Sequence, residues 1–166
     1  MPPSHRTLDT DRLSVELHTI LREERKGSLY EIDPFNLLPP GKRGVRDIAF
    51  SGNGEPTASS CFDEAVQIAA QARRYFGLEH TKIVLITNAS HLDEPSVQRA
   101  LAVMDENNGE IWAKLDAGTE EYFRKINRSN IPLDKILDNI LKTASVRPII
   151  VQSLWLCLQE IGRAHV

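Results

Sequence analysis

Apolar positions along the chain change period several times, and each change marks an element. Between residues 11 and 25, Leu13, Leu17, Ile20 and Leu21 fall on one helical face, and Gly27 follows as a stop signal. A loop rich in proline and glycine (DPFNLLPPGKRG) comes next, then the short run DIAF at 47–50, which reads as a buried strand. Residues 62–76 return to helical spacing and end before Gly77. KIVLIT at 82–87 is β-branched and continuously apolar, as a strand covered on both faces should be. The pattern then predicts a helix over 95–107, a strand over 111–116 (IWAKLD), helices over 120–126 and 133–143, and a last strand over 149–156 (IIVQSLWL).

The resulting order is α-β-α-β-α-β-α-α-β. Strands alternating with helices of this length imply right-handed crossovers and a parallel sheet, hence an α/β fold. The first helix has no strand before it, so the sheet is expected to lack its first strand as well as its closing C-terminal units. Residues 1–10 read as irregular and 11–159 as one domain. The final residues IGRAHV are what a common sequencing-adapter string encodes in this frame, so 160–166 are expected to be a non-native tail and His165 to carry no function.

Composition narrows the function classes. With 166 residues the chain has one domain's length, enough to bury roughly 70% of its unfolded surface. Twenty Lys and Arg against 23 Asp and Glu give a net charge of −3, so no basic surplus is available for phosphate backbones, and nucleic acid is not an expected partner. Cys61 and Cys157 are the only cysteines, too few for a secreted disulfide framework or a CxxC zinc site. The five histidines form no HxH or HExxH, and no metal site is expected from local spacing. No apolar leader or membrane-length run occurs; the reading is cytoplasmic, with no membrane partner.

Ligands of parallel α/β folds bind at the carboxyl ends of the strands. Four such ends carry polar residues: SGNGEPT at 51–57, TNAS at 87–90, KLDAG at 114–118, and Gln152 with Ser153. In the first, Gly52 and Gly54 let backbone approach a ligand, Glu55 is a fixed acceptor for a cation such as an ammonium, and Pro56 locks the turn. A plain Gly-Asn-Gly turn around Asn53 with a surface glutamate is the competing reading. Neither the Walker phosphate loop nor the dinucleotide fingerprint fits. Asn88 and Ser90 suit a ribose or a carboxylate, or a simple turn. Lys114 and Asp116, two apart on a strand, face the same way and form either a structural pair or a substrate-positioning pair.

Taken together, FSGNGEPT, LITNAS, KLDAG with the following EEYFRKINR, and IIVQSLWL resemble the body of a radical S-adenosylmethionine (SAM) enzyme, nearest to iron–sulfur oxidoreductases with an SGxGEPT second strand. The resemblance runs from about residue 11 to 156 and implies an incomplete parallel (β/α)6 partial barrel. It implies that Gly52, Asn53, Gly54, Glu55 and Pro56 meet the methionyl ammonium of SAM, and that Asn88 contacts SAM. It places Lys114 and Asp116 at the fourth-strand end facing the active centre, and Gln152 and Ser153 at the fifth. The intact enzyme would cleave SAM reductively with a [4Fe–4S] cluster and an electron donor, acting on a substrate the sequence does not name.

One departure matters. The family holds its cluster with three thiolates in a CxxxCxxC loop after the first strand, and this chain has two cysteines, neither in such a loop. The expectation is a fragment that keeps part of the SAM pocket, holds no cluster and is inactive alone. Two other readings remain open: a cluster-free α/β module that binds SAM or another nucleoside, and an ordinary (β/α) enzyme using Lys114, Asp116 and Glu55 as acid–base groups.

Overall fold

The structure, a computed structural model, describes residues 8–52 and 54–154. Asn53, Cys157, His165, the expected tail and the end of the last expected strand lie outside the described residues.

Helix α1 (Thr10–Lys26) begins where the Asp9 carboxylate accepts from Arg12 N at 3.0 Å. It ends at Gly27, whose φ of 85° places it in the left-handed region. A loop with three short 3-10 turns leads to β1 (Asp47–Phe50); Tyr30 braces it by donating to Glu24 and accepting from Gly44 N at 2.7 Å. There follow α2 (Phe62–Tyr75), β2 (Lys82–Thr87), α3 (Pro95–Asp105), β3 (Gly109–Lys114), α4 (Glu120–Asn127), α5 (Leu133–Ala144) and β4 (Ile150–Gln152).

All strand pairs are parallel and lie in sequence order, β1-β2-β3-β4. The α/β expectation therefore holds. The strand residues in the main core are Ile83, Leu85, Ile111 and Ala113, with Ile48, Phe50 and Ile149 packed against it. These are alternate positions and so share one face of the sheet. Against that face pack the small and branched residues of α2 (Val66, Ala69, Ala70), those of α3 (Val97, Ala100, Leu101, Met104), Phe123 of α4 and Ile136 of α5. Leu21 of α1 joins Ala72 and Phe76 in a second cluster. The other face adds no residue to this cluster: Val84 is buried on it, but Lys82, Lys114 and Gln152 are exposed and Ile86, Glu110 and Trp112 half-buried.

Three expectations need correction. The last strand runs over Ile150–Gln152 rather than 149–156, with Ser153 and Leu154 described and outside it. The third strand begins at Gly109 rather than at 111 and ends at Lys114 rather than at 116. Its start is set by close approach, since a Cβ on Gly109 would lie 2.5 Å from the Cβ and carbonyl oxygen of Met104. Past its end, Leu115 N still donates to Gln152 O, and the Asp116 side chain accepts from Leu154 N beyond β4. The strand at 47–50 is not buried either: Asp47 and Ala49 are exposed and Ile48 and Phe50 half-buried. It is an edge strand, as β4 is, and its half-buried residues Ile48 and Phe50 are the ones packed against the helix-covered core.

Candidate functional site

The carboxyl edge of β1 and β2 is the most heavily bonded part of the strand-end rim. After Phe50 the chain turns through Gly52 and Gly54, at φ 136° and 138°, with Gly54 N donating to Gly52 O at 2.9 Å. A Cβ on either glycine would meet nothing within 4 Å, so glycine is demanded by the backbone conformation, not by crowding. Asn53 between them is outside the described residues. Pro56 opens the 3-10 turn Pro56–Ala58, and Glu55 caps it.

The Glu55 carboxylate faces inward, toward the rim of the next strand. Its Oε1 accepts from Thr57 N at 3.2 Å and from the hydroxyls of Thr57 and Thr87, each at 2.5 Å. Its Oε2 accepts from Asn88 N at 2.7 Å. A single half-buried side chain thus ties the β1 loop to the end of β2. The surface-glutamate reading of the turn does not describe this geometry. Oε1 is saturated, while Oε2 carries one donor and keeps one acceptor position. Thr57 and Thr87 are 3% and 1% exposed; the sequence signals only Thr87, as a hydroxyl closing the apolar run KIVLIT, and gives no sign that Thr57 is buried.

Beyond Thr87, the TNAS loop folds on itself. Asn88 Oδ1 accepts from Ser90 N at 2.9 Å, and Thr87 Oγ1 accepts from Ala89 N at 3.0 Å. Ala89 is left-handed at φ 63° and fully buried. Ser90 is 2% exposed, whereas Asn88 beside it is half-buried. Asn139 of α5, not singled out by any pattern, donates to Ala89 O at 2.9 Å.

The β3–β4 half of the rim is sparser. Lys114 is the last strand residue and exposed; Asp116 lies past the strand end, half-buried, with its Oδ1 accepting from Leu154 N at 3.0 Å. The two were expected to face the same way on one strand. The strand ends at Lys114, before Asp116, and among the described residues the two form no ion pair. Gln152 and Ser153 are exposed at the end of β4, with Gln152 O accepting from Leu115 N at 2.9 Å. The structure brings Glu55 and Asn88 together and leaves Lys114, Asp116, Gln152 and Ser153 as a separate group.

A cleft of about 870 Å³ opens along β1, between α1 and the start of α2. Leu13, Leu17, Ile48, Phe50 and Phe62 line it, with Gly52, Gly54 and Glu55 among its walls. On the second face of the sheet, Lys82 Nζ sits 3.1 Å from Glu110 Oε2. The hydrogen bond from this ammonium holds the Glu110 carboxyl below the ordinary glutamate range, against the opposing pull of burial. Cys61, at the start of α2, is a free thiol, its sulfur 3.8 Å from Ser60 Oγ. Among the described residues no cluster of three His, Cys, Asp or Glu side chains has the geometry to hold a metal ion, and no helix is long and apolar enough to cross a membrane.

Comparison of the chain with family models, with curated proteins and with solved structures gives no match.

Proposed function

We propose that the chain is the SAM-facing part of a radical SAM enzyme, its four strands being consecutive strands of a partial (β/α)6 barrel. The observation that carries this reading is the junction of the first two strand ends, where Glu55 locks the Gly52–Gly54 turn beside Asn88. Strand order supports it. A doubly wound sheet reverses its order and puts helices on both faces, whereas sequential order with one helix-covered face is the arrangement of a barrel wall. The second face, with Ile86, Trp112 and Lys114, would then be the inner wall.

In this reading the remaining acceptor position on Glu55 Oε2 takes the methionyl ammonium. Asn88 contributes its amide nitrogen, which makes no hydrogen bond among the described residues. Lys114, Asp116, Gln152 and Ser153 stand across the rim, toward the substrate side. The residues do not fit a [4Fe–4S] cluster. Three thiolates are required, the chain has two cysteines, and among the described residues Cys61 belongs to no group of three potential ligands. The cluster ligands of this proposal lie outside these 166 residues, and reductive cleavage of SAM is proposed for the intact enzyme rather than for this chain. The acid–base reading draws no support from geometry, since Lys114 and Asp116 form no ion pair among the described residues and Glu55 is held by four donors.

Calorimetric titration of the chain tests the reading. SAM is expected to bind at least about tenfold more tightly than adenosine or methionine alone, because both ends of the ligand would contact the rim. No heat with SAM at millimolar concentration contradicts it. Equal affinity for SAM and adenosine points to the cluster-free nucleoside-binding module.

A further inference from the structure

We propose that Asn139 is a positioning residue, the side chain that holds the loop after β2 in its ligand-binding shape from the helix side. The inference rests on the SAM reading only for what the loop binds. The clamp itself is read from the geometry. Asn139 lies on the buried stripe of α5, 2% exposed, where a helix pattern calls for an apolar residue. An amide placed there is costly unless bonded. Its Nδ2 donates to Ala89 O at 2.9 Å, with Ser90 O at 3.3 Å and Asp93 Oδ1 at 3.2 Å sharing its two hydrogens. Lys135, one turn earlier on α5, lies 3.5 Å from the other oxygen of Asp93.

The loop needs such a clamp. Ala89 sits at φ 63° with its methyl fully buried, a conformation that costs a non-glycine residue about 1–2 kcal/mol and persists only where neighbours fix it. The N–H groups of Asn88, Ala89 and Ser90 are taken by Glu55, Thr87 and Asn88 respectively. Those bonds hold one side of the loop. On the other side, Asn139 is the side chain that reaches its carbonyls. Gripped from both sides, the loop keeps Asn88 at the rim, with its amide nitrogen as the remaining donor. Released on one side, Ala89 relaxes toward an ordinary φ and Asn88 swings away. Asn139 therefore acts on the ligand through Asn88, although it stands 51 positions from it in the sequence.

The test uses Asn139→Asp, which keeps the shape but replaces the donating NH2 with an acceptor facing two carbonyls and Asp93. Asn139→Ser serves as a milder variant should the first fail to fold. Ile136→Val, one turn away in the same core, is the control for loss of packing alone. Amide hydrogen exchange at Asn88, Ala89 and Ser90 should speed up about tenfold or more in the Asn139 variants, roughly the worth of one buried hydrogen bond. In Ile136→Val the melting temperature should fall with no selective change at those three amides. SAM affinity should drop about tenfold in the Asn139 variants and stay unchanged in the control. Unchanged loop exchange in both Asn139 variants, or the same change in Ile136→Val, overturns the proposal. If the unaltered chain binds no SAM, the functional reading fails, and the exchange data still decide the role of Asn139.

Discussion

Leu85 and Ile86 are neighbours on β2, similar in size and chemistry, and they live in different surroundings. Leu85 is fully buried among the helices, while Ile86 is half-buried on the face outside that cluster. The same split runs through β3, where Ile111 belongs to the core and Trp112 does not. One face of the sheet is finished by helices and supplies stability. The other buries Val84 but leaves Ile86 and Trp112 half-buried and Lys114 exposed, and supplies a surface next to the strand ends. A second contrast lies along the rim itself. Its β1–β2 half is joined by Glu55 to four donors, whereas its β3–β4 half is held by Asp116 bonding a single backbone amide and by the ladder bond at Gln152. Stability and site are therefore not shared evenly among the four strand ends.

The largest expected effect comes from reversing the surroundings of the two neighbours. Leu85→Ala should cost about 2–5 kcal/mol in urea unfolding, the range for a fully buried leucine that leaves a cavity. Ile86→Ala should cost about 1 kcal/mol or less, because its face leaves less apolar area to lose. Equal losses would erase the distinction between the faces.

Glu55→Gln should follow in size. The amide group of glutamine keeps one acceptor oxygen but sets an NH2 against a Thr hydroxyl or the Asn88 N–H, so about 1–3 kcal/mol of stability should be lost along with SAM binding. Lys114→Met, in the sparser half, should leave stability nearly unchanged. A neutral result for Glu55 would make the first half of the rim no firmer than the second.

The smallest effect concerns the Lys82–Glu110 pair on the second face. Its lowered carboxyl contributes stability that is complete above the ordinary glutamate value of 4.5 and is lost as pH falls through the lowered value. Lys82→Met should remove that acid-side loss, a change of at most a few tenths of a kcal/mol for so exposed a pair. The difference between the two proteins should vanish under acid and appear near neutral pH.

Much of this architecture was legible in the apolar pattern. Asp47–Phe50 and Lys82–Thr87 stand where the sequence places them, and helix ends such as Gly27 carry their own stop signals. The two-residue displacement of β3 escaped because it depends on Met104 meeting Gly109, a contact between elements that no period reports. The exposure of β1 escaped for a related reason, since a short apolar run looks alike in the middle and at the edge of a sheet. At the site, the glycine turn and Glu55 were legible as a motif, but the direction of the carboxylate was not. It is set by Thr87, 32 residues away. Asn139 was hidden most deeply, as a polar residue on a buried helical stripe with Leu133, Ile136 and Thr143, with partners some 50 residues upstream.

The central claim is that the rim formed by the Gly52–Gly54 turn and the Asn88 loop is a SAM site facing the second side of the sheet. An amide NMR titration of the chain with SAM tests it most directly. The account predicts saturable shifts at Gly54, Glu55, Asn88 and Ala89, extending to Trp112 and Lys114 on the second face, with α3 and the helix-covered core unmoved. Shifts confined to the helical side, or no shifts at saturating SAM, would contradict it.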